Sequence, residues 1–416
     1  MALFAVGFTA MTRHVDTPGA FYAYIGIGLG RRAGTGAAFV ALMAYALIAI
    51  SFVPALGVFT RATVIAVADI DLPWSLWSAL AVIIIGVLGY QDISMSARIL
   101  AALLALEVLI LVAFAAVVLV SGGAEGISFE SFDPRALFGP GLGALIVLAF
   151  GAFLGFESTA IFSTETRDPH RTVARATYVA VGFLAIFYTV VLWSAVMAYG
   201  PRDAVRVAMS NPETMIFDAT AQWLGAPMAD VMYLLIVTSA LAAALAFHNA
   251  AARYLQAIAR QGLLPRRLGD STGRGSPGAA SLALSAAAVV IVTVFTVVGA
   301  DPYDQTFVWL NAIGVPAILA LQALCSVAVI AYFRRRSTPV GAWAGFWAPL
   351  AAAVCLVGAV IMVAVRYELI TGASTAVNLA LLAITPLVFV FGFLSADRAA
   401  GSDTAPGSDT AAGSIR

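Results

Sequence analysis

FGAFLGFES, from Phe150 to Ser158, lies inside an apolar run of the chain and carries features that an uninterrupted membrane helix avoids. Gly151 and Gly155 sit among bulky residues, and Glu157 follows close behind. Each glycine weakens a helix interior by about 1 kcal/mol, and a carboxylate within a bilayer costs roughly 2.5 to 3.5 kcal/mol unless it faces a cavity or a partner. Both costs fall at one place, so the residues predict a broken helix. Such a break presents free N–H groups from one half to an anion and free carbonyls from the other to a cation, which suits the carboxylate and ammonium of an amino acid. The competing reading is a glycine-lined seam between packed helices.

The surroundings are those of a membrane protein. Of 416 residues, 62% are hydrophobic and 11% charged, and the mean hydropathy is +0.97. A soluble domain runs near half apolar and a quarter charged. Ten segments supply the ~20 mostly apolar residues that a crossing needs: 36–60, 74–89, 99–120, 143–161, 177–199, 229–251, 280–300, 306–332, 343–365 and 373–394. The first residues, 2–11, form about 15 Å of helix, too short to cross a ~30 Å bilayer, and they lack the flanks of a signal peptide. They read as the last part of a helix, a partial span over 1–14.

All 22 basic residues are arginine, and 22 acidic residues balance them. No positive excess exists to hold a polyanion, so nucleic acid is not an expected partner. With ten crossings, seventeen arginines fall on the side of both chain ends, against Arg61, Arg135, Arg202, Arg206 and Arg366 on the other. The richer side reads as cytoplasmic, in a multi-pass protein of the cell membrane. Residues 395–416 contain GSDTA twice and cannot bury a core, so they read as a disordered cytoplasmic tail behind a membrane domain of 1–394. Cys325 and Cys355 stand alone in apolar runs, away from the three histidines, and support neither a disulfide framework nor a metal site. No nucleophile elbow or phosphate loop is present, so neither an enzyme nor a cofactor is expected.

Gly155-Phe156-Glu157, followed by Glu165 and then by Pro169, Arg171 and Ala176, resembles the sixth helix of the amino acid/polyamine/organocation permease superfamily. FHNAAARYLQAIARQGLLP (Phe247 to Pro265) is similar to the family's eighth helix and the loop after it, and PGAFYAYIGIGLGRRAG (Pro18 to Gly34) to the entry into its third. GYQDISMSARILAALLALE (Gly89 to Glu107) matches the connection between the fourth and fifth more weakly. Together these stretches cover most of the chain in the family's order. The resemblance implies an all-α integral membrane protein with a five-plus-five inverted-repeat fold and two extra C-terminal helices, here lacking the first helix and most of the second. Half of the family's substrate site then lies outside this sequence. The expectation is a start placed too late rather than a defective copy.

Around the break, the resemblance makes Phe150, Gly151, Ala152, Phe153, Gly155 and Phe156 candidate substrate contacts. Gly151 holds the place where some relatives set a large aromatic over the substrate, which leaves room for a bulkier side chain. Glu157, just past the break, is the candidate for gating or proton sensing, since burial raises a carboxylate's pKa. Glu107 stands near a position where some proton-coupled relatives carry lysine; this chain has none, and a carboxylate there inverts the charge logic. His248 and Asn249 lie late in a span beside small residues, the histidine as a proton relay or as a hydrogen-bonded packing group. Asn311, between Trp309 and Gly314, lines a vestibule or packs, with both readings open. The expected function is secondary active transport of an amino acid or related amine by alternating access, coupled to a proton or sodium ion or to exchange. The alternative from another class is a truncated scaffold or membrane sensor that does not transport.

Overall fold

A computed structural model describes residues 1–12, 14–15, 20–91, 94–137, 142–155, 169–211, 214–272, 276–336 and 340–402. All regular structure among the described residues is helical. Helix α1 covers Ala2–Thr12, α2 Ala20–Leu29, α3 Arg31–Ala68, α4 Trp74–Tyr90, α5 Ser94–Val120, α6 Leu142–Gly151 and α7 Pro169–Tyr199. Then follow α8 (Pro201–Ser210), α9 (Met215–Leu224), α10 (Ala226–Arg260), α11 (Gly278–Val297), α12 (Val308–Arg335), α13 (Ala348–Val365) and α14 (Thr375–Ser402). π-Helical turns, Pro302–Phe307 and Trp343–Trp347, run directly into α12 and α13.

Eight helices among the described residues are long and apolar enough to cross a membrane: α3, α5, α7, α10, α11, α12, α13 and α14. Helix α4 has 17 residues, about 25 Å at 1.5 Å per residue. The expected span 143–161 is described only to Gly155, and its remainder lies outside the described residues.

Helix α3 forms the centre, packed against α2, α4, α10, α12 and α14. Its Tyr45 and Ile48 join Phe4 and Phe8 of α1, Ile25 of α2 and Ile318 of α12 in the main apolar cluster. In lipid no hydrophobic drive pulls helices together, so close van der Waals packing decides the association and small residues mark the crossings. Gly28 of α2 is such a point, because a β-carbon there would overlap the main-chain carbonyl of Ala328 on α12. On the outside, Leu109, Ile186, Val354 and Leu387 stand exposed. Apolar surface of that extent belongs against a bilayer rather than water.

Arginines make contacts at both ends of α3. At one end, Arg32 at the start of α3 holds Asp397 of α14 through two bonds of 3.0 and 2.9 Å. Arg335 at the end of α12 donates to the Gly28 carbonyl at 3.2 Å. At the other end, Arg61 donates to both Asp71 oxygens at 2.6 and 2.9 Å, and these hydrogen bonds hold the Asp71 carboxyl below the usual carboxylate range.

Two stretches depart from the sequence reading. Helix α14 continues to Ser402, past the expected boundary at 394, because Ala396 is buried and Asp397 is paired with Arg32. Residues 403–416 of the expected tail lie outside the described residues. The connection after α7 folds into α8 and α9, ten residues each and too short to register as spans.

Candidate functional site

The helical ladder of α6 stops where the glycines stand. After Gly151 the chain makes tight turns, with Phe153 N–H bonded to the Phe150 carbonyl at 3.0 Å and Leu154 N–H to the Gly151 carbonyl at 3.1 Å. Gly155 has φ +102, a conformation that strains any residue with a β-carbon. These turns occupy the carbonyls of Phe150 and Gly151, and the chain past Gly155 lies outside the described residues. Phe150, Phe153 and Leu154 pack against the main cluster, and the Phe153 ring lies 6.3 Å from Tyr188 of α7. Ala152 is half-buried in the turn. Opposite Gly151 stands Val315 of α12, whose two methyl groups would lie 3.9 Å from an added β-carbon. One methyl group fits there, and an indole would press on Val315. Phe156 and Glu157 lie outside the described residues.

Glu107 and His248 are not part of this constellation. Glu107, half-buried on α5, faces the Ser239 and Thr238 hydroxyls of α10, within their hydrogen-bonding reach. His248, farther along α10, is 4% exposed. Its Nε2 lies 2.8 Å from the Ser281 hydroxyl of α11. A β-carbon at Gly89 of α4 would come within 2.9 Å of the imidazole, so the ring sits in a three-helix crossing. Asn249 is buried beside it. Asn311 spends its amide nitrogen on the Ser51 hydroxyl of α3 at 2.7 Å and on the Phe307 carbonyl at 2.9 Å.

A file of aromatic rings between α3 and α10 escaped the sequence reading. Tyr254 stacks on Tyr45 at 5.4 Å, Tyr45 lies 5.9 Å from Phe247, and Phe247 stacks on Phe52 at 6.2 Å. The file continues through Phe307 and Tyr303 to Phe59 at one end, and to Tyr22 of α2 at the other. Aromatic faces of this kind attract ammonium groups. The signal was present: Tyr45 and Phe52 are seven residues apart on α3, as are Phe247 and Tyr254 on α10. Matched spacing of that kind puts rings on facing stripes of two helices.

Residues 1–398 match a family described as amino acid permease. A branched-chain amino acid permease of Lactococcus lactis is 28% identical over 222 residues, 52% of this chain and 47% of that protein. An uncharacterized amino acid permease of Bacillus subtilis is 27% identical over 202 residues, 48% of this chain and 41% of that protein. An uncharacterized transporter of Mycobacterium tuberculosis is 33% identical over 121 residues, 29% of this chain and 26% of that protein. The matched stretches thus span less than half the length of each of these relatives.

Proposed function

Because the chain belongs to the amino acid permease family, we propose that it is a secondary active transporter, carrying an amino acid or related amine across the cell membrane by alternating access. The observation that supports this most directly is the stop of α6 at Gly151 inside an apolar segment, because helices interrupted within the membrane are where transporters bind charged groups through the main chain. In this reading the turn 150–155 forms one side of the substrate site and Val315, across from Gly151, the other. Phe156 and Glu157, next in sequence, complete the proposed site, the glutamate as its gating or proton-sensing group. A zwitterionic substrate suits the site better than a strongly acidic one, because no basic residue lies in 142–155. The 416 residues contain no phosphate loop, so the drive is a proton or sodium gradient, or exchange of one solute for another. The arginine-rich end, with the C-terminus, faces the cytoplasm.

Uptake into proteoliposomes tests this reading. The panel begins with leucine, isoleucine and valine, after the name of the Lactococcus relative, and extends to other zwitterionic amino acids and amines. Saturable uptake of at least one member, stimulated by an inward proton or sodium gradient or by preloaded solute, is expected. Absence of saturable uptake across the panel under all three drives would overturn it.

A further inference from the structure

Behind α12, away from the Val315 side, lies a cavity of about 490 Å3 between α3, α12, α13 and α14. Ala317 and Ala320 of α12 create much of the space, and Pro316 and Pro386 interrupt the two helices that face each other across it. No charged side chain lines it; its polar side-chain groups are the hydroxyls of Thr385 and Tyr367, and Pro316 and Pro386 leave the carbonyls of Ala312 and Leu382 without a helical N–H partner. Tyr367 is 3% exposed, and its hydroxyl has no hydrogen-bond partner among the described residues.

Water is a poor occupant. At ~30 Å3 each, on the order of sixteen waters would fill such a volume, and each needs two to four polar partners. Two hydroxyls and two carbonyls cannot supply them. An amino acid is equally unsuited, since fifteen of the seventeen lining residues are apolar. Hydrocarbon meets the lining, and the bilayer is adjacent: Ile361 of α13 and Leu387 of α14 are exposed on the outer surface, and exposed Val390 belongs both to that surface and to the cavity wall.

We propose that this cavity is a lipid site, filled by one acyl chain of a bilayer phospholipid that enters past Val390. The acyl chain has a mechanical consequence. The Pro316 ring removes the hydrogen bond to the Ala312 carbonyl and makes a hinge in α12. A fluid filler beside that hinge keeps the space closed to water while leaving α12 free to bend.

The test uses the full chain, delipidated in maltoside detergent, with dioleoylphosphatidylglycerol added in one arm and its deacylated headgroup, glycerophosphoglycerol, in the other. Native mass spectrometry is expected to show one phospholipid retained per chain. Thermal unfolding should move upward with the phospholipid and not with the headgroup. Ala320→Phe, which fills the cavity from α12, should cut retention at least tenfold and abolish the thermal response, whereas Val354→Phe on the exposed face of α13 should change neither. Thr385→Phe repeats the test from the opposite wall should Ala320→Phe fail to fold. The proposal is overturned if the wild-type chain retains no lipid, if the headgroup alone stabilises it equally, or if the folded filled variants retain lipid as the wild type does.

Discussion

Gln322 lies wholly buried in α12, 0% exposed, and neither its amide nitrogen nor its amide oxygen has a hydrogen-bond partner among the described residues. The surrounding backbone is intact, for the Gln322 main-chain carbonyl accepts the Ser326 hydroxyl at 2.9 Å. An unpaired buried polar group costs about 1 to 3 kcal/mol, and hydrocarbon surroundings offer no water to relieve it. Leucine is apolar, similar in size, and close to glutamine in helix propensity. Gln322→Leu is therefore expected to stabilise the chain by about 2 kcal/mol, raising the apparent unfolding temperature by on the order of 3 °C. Unpaired buried amides of this kind are retained where function uses them. The same variant should then lower saturable uptake at least tenfold. The assay pairs thermal unfolding followed by tryptophan fluorescence with uptake in proteoliposomes. A variant that unfolds at a lower temperature than the wild type would refute the reasoning, because it would show that the amide had been making bonds worth more than its desolvation.

At the break in α6, Gly151→Trp should press an indole on Val315 and reduce uptake of large substrates more than small ones; equal losses across side-chain sizes, measured as kcat/KM, would count against Gly151 as a pocket wall. Glu107→Gln should leave stimulation by an inward proton gradient intact, because Glu157 is the proposed proton-sensing group; abolished stimulation would make Glu107 the coupling group. His248→Leu should lower thermal stability by about 1 to 2 kcal/mol, through loss of the bond to Ser281, and leave proton stimulation intact. Gly28→Ala sets a β-carbon into the main-chain carbonyl of Ala328, which cannot turn aside as a side chain would. Overpacking there should cost about 3 kcal/mol, read as earlier unfolding in detergent.

Long apolar runs announce themselves, and so the spans around α3, α10 and α12 were legible from hydropathy alone. The glycine-marked stop near residue 151 was legible too, because Gly151 and Gly155 both weaken the ladder just ahead of a carboxylate, and the costs coincide. Less visible were features that depend on which helices meet. The seven-residue spacing of Tyr45 with Phe52 and of Phe247 with Tyr254 acquires meaning only once α3 and α10 are known to lie side by side. Helices α8 and α9, ten residues each, are too short to show in a hydropathy reading for spans. Asp397 looked like the start of a tail until Arg32, 365 positions away in the chain, supplied its partner.

The arrangement on α10 separates two tasks that the sequence ran together. Ser239, beside Glu107, and His248 are nine residues apart on this helix, about 13.5 Å along its axis and roughly half a turn around it. Between them the chain reads ALAAALAF over 240–247, without a polar side chain. A proton handed from Glu107 to His248 would have to pass through the apolar body of α10, so the two groups do not form one relay. Each instead fastens α10 to a different neighbour, Glu107 to α5 and His248 to α11. A third face carries Phe247 and Tyr254 toward α3, with which α10 makes the most extensive helix contact among the described residues. A helix held on three sides, with rings interleaved along its longest seam, is poorly suited to part from its neighbours. The motion that alternating access requires is therefore expected in α6, whose ladder is already broken at Gly151 and whose neighbours are α12 and α13, while α3 and α10 stay together.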